Sequence, residues 1–177
     1  MMAALSGQNT QAIDALLSHA VMGGSLPPEA EGHLEAASQS YHLSDVAEAH
    51  LREAESLAPD HAAVLIGLYR FYFYKGRLGE ALEIANACLK VAARACNIAA
   101  DWRDVMPGEA AFSDWGALWP RFFMFTLKGY AYLNMRLGRI DEAKHAIAKL
   151  LELDPGDKIN AKLLVAILDR AEAADAE

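Results

Sequence analysis

Positive charge is scarce in this chain. Sixteen lysines and arginines stand against 24 aspartates and glutamates, a formal net charge of −8 at neutral pH. A face that neutralises phosphates needs the opposite balance, so nucleic acid is excluded as the main partner and anionic lipid is repelled. Proline is also sparse, with six residues placed at the edges of periodic stretches. No apolar run approaches the ~18 residues that span a bilayer; the longest, Ala62 to Tyr69, stops at Arg70. Met1 to Thr10 lacks basic residues and a sustained apolar core, unlike a secretory leader. These absences together predict a cytoplasmic protein with no membrane partner.

Reactive chemistry is missing too. The two cysteines, Cys88 and Cys96, lie eight residues apart on one expected helix. That separates their backbones by roughly 12 Å, too far for a disulfide, so both read as small apolar side chains. None of the six histidines (His19, His33, His42, His50, His61, His145) has another three or four residues away, which removes the commonest helical zinc spacing. Phosphate-binding glycine loops and nucleophile elbows are absent. The expectation is a non-enzyme without metal or cofactor.

What remains is a helical composition: 54% of residues are hydrophobic, many of them alanine. Self-similarity organises it. Gly138-Arg-Ile-Asp-Glu-Ala143 precedes Leu153-Asp-Pro155-Gly-Asp157. Here a glycine closes one helix, an acidic pair opens the next, and a proline forbids its continuation. Gly76-Arg-Leu-Gly-Glu-Ala81 repeats the turn, and Asp45-Val-Ala47 with Leu57-Ala-Pro59-Asp60 is a more worn copy.

These residues resemble the tetratricopeptide repeat, a helix–turn–helix of about 34 residues. Placing Pro59 and Pro155 at the closing proline and Gly76 at the turn glycine sets unit starts at residues 28, 62 and 124. The first two differ by 34; the last two differ by 62, which leaves 28 inserted residues. The expected organisation is a helix over 8–22, units over 28–61, 62–95 and 124–157, an insert over 96–123, and a capping helix over 158–173. Leu65, Leu68, Tyr72 and Ala81 take the signature places of the second unit; Leu127, Ala131, Ala143, Ile147 and Pro155 take those of the third, with Asn134 in place of the aromatic. The first unit keeps Leu34, Ala47, Leu51, Ala54 and Pro59 but departs at Glu31, Glu35 and Ser38. The resemblance implies an all-α solenoid of antiparallel helix hairpins, wound as a right-handed superhelix and capped by helices at both ends.

It also implies a concave groove lined by the first helix of each unit. Its places fall on Ile66, Arg70, Phe73 and Tyr74 in the second unit, and on Phe125, Lys128, Tyr132 and Arg136 in the third. Aromatic surface beside positive charge suits an acidic or amphipathic helix of a protein or peptide partner, unless the N-terminal helix or the insert fills the groove. All three tryptophans, Trp102, Trp115 and Trp119, lie in the insert. They either plug a gap beside the repeats or form part of a binding surface. The resemblance implies an adaptor or scaffold. Small acidic three-unit proteins are also similar to chaperones of type III secretion translocators, and the insert is similar to that of small bacterial repeat proteins encoded beside nitrogenase, an accessory role in enzyme or cofactor maturation. A homodimer through the insert is a further possibility.

Overall fold

A computed structural model describes residues 24–175; the helix expected over 8–22 lies outside them. Among the described residues the chain is all-α, a helical-repeat fold without strands. Its helices are α1 (Pro28–Gln39), α2 (Ser44–Leu57), α3 (Ala62–Tyr74), α4 (Leu78–Cys96), α5 (Leu118–Arg136), α6 (Ile140–Leu153) and α7 (Lys162–Asp175). Two compact units divide the chain within α4, after Val91.

In the first unit, Pro28 opens α1 at a position where its missing N–H is not needed, and Glu29 and Glu31 oppose the helix dipole. α1 packs on α2, which buries Ala47, Leu51 and Ala54 at helical spacing, and α2 packs on α3. α3 is apolar nearly all round, with Val64, Leu65, Ile66, Leu68, Tyr69, Phe71 and Tyr72 buried. In the second unit, α5 packs on α6 and α6 on α7.

The turns explain the spacing of the sequence. After α3, Lys75 N–H donates to Phe71 O, Arg77 N–H to Tyr72 O and Ala81 N–H to Arg77 O. Sixty-two residues later, Leu137 N–H donates to Leu133 O, Arg139 N–H to Asn134 O and Ala143 N–H to Arg139 O. Gly76 and Gly138 both sit at φ +73°, the left-handed geometry that closes a helix and that a side chain resists. The turn after α1 is different. His42 stands at the glycine place, so the chain closes with Tyr41 N–H to Ser38 O and Leu43 N–H to Ser40 O, and the Ser40 hydroxyl returns to Ala36 O. Ala47, Ala81 and Ala143, just past the three turns, have no exposed surface.

Two boundaries differ from the sequence expectation. α4, lacking a closing proline, runs one residue into the span expected as insert and stops at Cys96. Asn97 adopts φ +55° and Ile98 N–H returns to Ala93 O. The last helix starts at Lys162 rather than at residue 158, because Asp157 and Asn160 are both left-handed, at φ +51° and +58°. Asp157 still caps it, accepting from Ala161 N–H at 2.6 Å and Lys162 N–H at 3.3 Å.

A charged latch crosses the first unit. The Tyr72 hydroxyl donates to Glu48 at 2.6 Å and Arg77 pairs with the same carboxylate while donating to Glu80 at 2.8 Å. Arg77 and Tyr72 hold the Glu48 carboxyl below its ordinary value, and burial with Glu48 beside it pushes the Tyr72 phenol up to about 12. A carboxyl depressed on folding stabilises the fold above its unfolded pKa of about 4.5. That contribution is lost as pH falls through the folded value.

Gly138→Ala should cost about 1–2 kcal/mol from left-handed strain, whereas Gly32→Ala, in the interior of α1 with open space around it, should gain up to about 1 kcal/mol; urea unfolding separates the two. Chemical denaturation from pH 7 to 3 should show Glu48→Gln less stable at pH 7, with a shallower loss of stability below about pH 4.5. An unchanged acid slope would show that the latch carries none of that dependence.

Candidate partner-binding surface

An apolar trough of about 510 Å³ opens in the first unit between α1 and α3. Leu34, Ala37, Leu51, Ala63 and Gly67 give its apolar walls, and Tyr41, Arg70 and Tyr74 its polar edge. Gly67 deepens it: a Cβ there would lie 3.4 Å from a Leu51 methyl and 3.5 Å from a Leu34 methyl. Tyr41 and Tyr74 are 41% and 44% exposed, large rings left facing water beside an apolar floor. Lys75 fixes one edge, donating to Tyr41 O at 2.9 Å with its ammonium 4.2 Å from the Tyr41 ring centre. Burial and the neighbouring Tyr74 push the Tyr41 phenol above its ordinary value, so it remains a neutral hydrogen-bonding group.

Of the residues expected in the groove, Arg70 and Tyr74 lie in this trough. Phe73 is half-buried and stacks on Tyr69 with ring centres 5.8 Å apart. Ile66 is only 3% exposed and belongs to the core of its unit. In the second unit, Tyr132 and Arg136 are adjacent on α5, the Arg136 guanidinium donating to the Tyr132 hydroxyl at 2.9 Å. Lys128 corrects the expectation of an accessible cation. It is buried, its ammonium donates to Ile159 O at 2.7 Å, and desolvation lowers its pKa despite Asp157 nearby. Phe125 is buried as well, with the edge of Trp115 against it.

The tryptophans divide between the two roles foreseen for them. Trp102 is 5% exposed, packs edge-on against Tyr130 and lies under the Arg103 guanidinium, so it is a core residue rather than a surface one. Trp119 is half-buried against Phe122. Trp115 is 48% exposed and borders a wider, more polar hollow of about 680 Å³ with Phe112, Asp114 and Lys158. The insert holding them is fastened to its own unit. Arg103 pairs with Glu142, Lys149 donates to Val105 O at 3.0 Å, and Ser113 donates to the buried Asp154 at 2.8 Å. Burial opposes ionisation of Glu142, but hydrogen bonds from Tyr130 and Arg103 outweigh it and keep its pKa low.

Leu34, Ala37 and Tyr41 were missed from the sequence. Leu34 and Ala37 lie on α1 and Tyr41 in the turn after it, in the unit that departs furthest from the repeat pattern, and only the i, i+3 spacing of Leu34 and Ala37 marked a shared face. Burial pushes the Cys88 thiol up to about 12 and the Cys96 thiol up to about 11, which disfavours the thiolate form of each. No helix among the described residues is long and apolar enough to cross a membrane.

Paired helices closed by left-handed glycines define a helical-hairpin repeat protein, and the family model described as Tetratricopeptide repeat matches residues 124–157. The chain is also 37% identical, over 152 residues, to the "Uncharacterized 19.8 kDa protein in nifW 5′ region" of Azotobacter chroococcum mcd 1, an alignment covering 85% of this chain and 84% of that protein. It belongs to the same family as that protein. No solved structure matches the chain significantly.

The different burial of two insert tryptophans generates a prediction. Trp102→Ala should destabilise the fold by about 3–5 kcal/mol, as loss of a core aromatic does. Trp115→Ala should change stability by no more than about 1 kcal/mol while removing most acrylamide-quenchable fluorescence. Equal destabilisation by the two changes would contradict these placements.

Proposed function

We propose that this protein is a non-catalytic adaptor of three tetratricopeptide units, over 28–61, 62–95 and 124–157, that docks an amphipathic segment of a partner protein. The observation that carries this reading is the α1–α3 trough, whose apolar floor and exposed Tyr41 and Tyr74 are edged by Arg70. A helix laying Leu- or Phe-type anchors on the Leu34–Gly67 floor would bury rings that now face water, and an acidic residue on it would meet Arg70. The tetratricopeptide match supports a protein partner. Tyr132, Arg136 and Trp115 offer secondary contacts of similar chemistry in the second unit.

The relative in the nifW 5′ region favours a particular setting: an accessory role for this family in nitrogen fixation, with the partner a protein of nitrogenase maturation. The type III secretion chaperone reading has no comparable support.

A photo-crosslinking amino acid at Tyr74, expressed in the native host, tests the docking surface. We expect one discrete partner, identified by mass spectrometry, whose crosslink is lost when Arg70→Glu is added and retained when exposed Arg139→Glu is added instead. A crosslink indifferent to Arg70→Glu, or none under conditions where the protein is abundant and folded, would overturn the trough as the docking site.

A further inference from the structure

A second pair of side chains converges inside the first hairpin. His33 on α1 and His50 on α2, 17 residues apart, bring their Nδ1 atoms within 3.0 Å, with ring centres 5.3 Å apart and ring planes inclined at 40°. Neither ring is exposed, and neither is fully buried. As a hydrogen bond, this contact requires one ring to carry its proton on Nδ1 and the other to present a bare lone pair there. It satisfies both Nδ1 atoms, but on rings at a helix–helix contact where an apolar pair would pack without any such demand.

The same placement also suits a metal ion. Two imidazole nitrogens bound tetrahedrally at 2.0–2.1 Å stand about 3.3 Å from each other, so a slight parting of these rings would admit the ion. Both rings could then carry their protons on Nε2 and direct both Nδ1 lone pairs inward. We infer that His33 and His50 form a two-histidine site for a borderline divalent transition metal, zinc or nickel by chemistry, with water completing the coordination from the half-exposed side. Among the described residues no group of three or more His, Cys, Asp or Glu side chains is placed to hold a metal. The site is therefore bidentate and exchangeable, unlike a closed structural zinc site.

Its mechanical effect is specific. The ligands bridge α1 to α2, and each directly precedes a leucine, Leu34 or Leu51, that lines the trough. A bound ion would fix the separation of these two helices and so stabilise the first hairpin by linkage. The inference stands on the histidine geometry and does not depend on what the trough binds.

Untagged protein titrated with zinc chloride, and separately with nickel chloride, provides the test by calorimetry and thermal unfolding. One saturable ion per chain is expected, with Tm raised by roughly 5 °C when free metal exceeds its Kd about a hundredfold. His33→Gln and His50→Gln, whose amides keep hydrogen-bonding capacity, should each abolish the shift; far-UV circular dichroism confirms that they fold. His42→Ala and His145→Ala, at exposed positions, should leave it intact. Absence of saturable binding in the wild-type protein, or a shift that survives both glutamine variants, would overturn the site.

Discussion

Two α-helices joined by a turn of three or four residues must begin their shared path almost in contact, and there the side chain between them can be little more than a methyl group. Ala47, Ala81 and Ala143 occupy that place after their respective turns, each fully buried. Larger neighbours then fill the widening space: Leu51 beyond Ala47, Ile147 and Leu150 beyond Ala143. The glycines at residues 76 and 138 depend on the same closeness, because a wider turn would not need a left-handed residue. From this restraint follow the short connections, the coincident hydrogen bonds at a 62-residue offset, and the position of α3 that leaves one of its sides open as the trough.

Much of this was legible because local rules and packing agree. Turn glycines and closing prolines set the phase, and the family match over 124–157 coincides with the unit read from Gly138 and Pro155. Departures arose where a distant backbone group decided the outcome. Lys128 sits at a groove place in sequence, yet the Ile159 carbonyl, 31 residues on, draws it inward. Nothing near Lys128 in sequence announces that acceptor. The delayed start of α7 has a local origin instead, in the left-handed backbone of Asp157 and Asn160 just before it. Tyr41 reaches the trough edge because its turn, without glycine, follows a path of its own.

The polar contacts recur with different connections. Tyr72, Glu48 and Arg77 join α2 to α3 and its turn, while Tyr130, Glu142 and Arg103 join α5, α6 and the insert. In both, a tyrosine hydroxyl and a guanidinium share one carboxylate, so each hydrogen bond is charge-assisted. The guanidinium comes from the turn in one case and from the insert in the other. Asn134, at the place corresponding to Tyr72, uses its amide N–H₂ to bond Tyr130 O, and its buried Oδ1 has no hydrogen-bond partner.

The anchors of the insert all lie downstream of it, at separations of 39, 41, 44 and 45 residues for Arg103–Glu142, Ser113–Asp154, Val105–Lys149 and Ser113–Lys158. A ribosome adding about 5–20 residues per second therefore releases Trp102 and Phe112 some seconds before their holdfasts exist. For that interval the nascent chain displays aromatic side chains that the finished protein hides, and the second unit acquires its order only as α6 and the segment after it emerge.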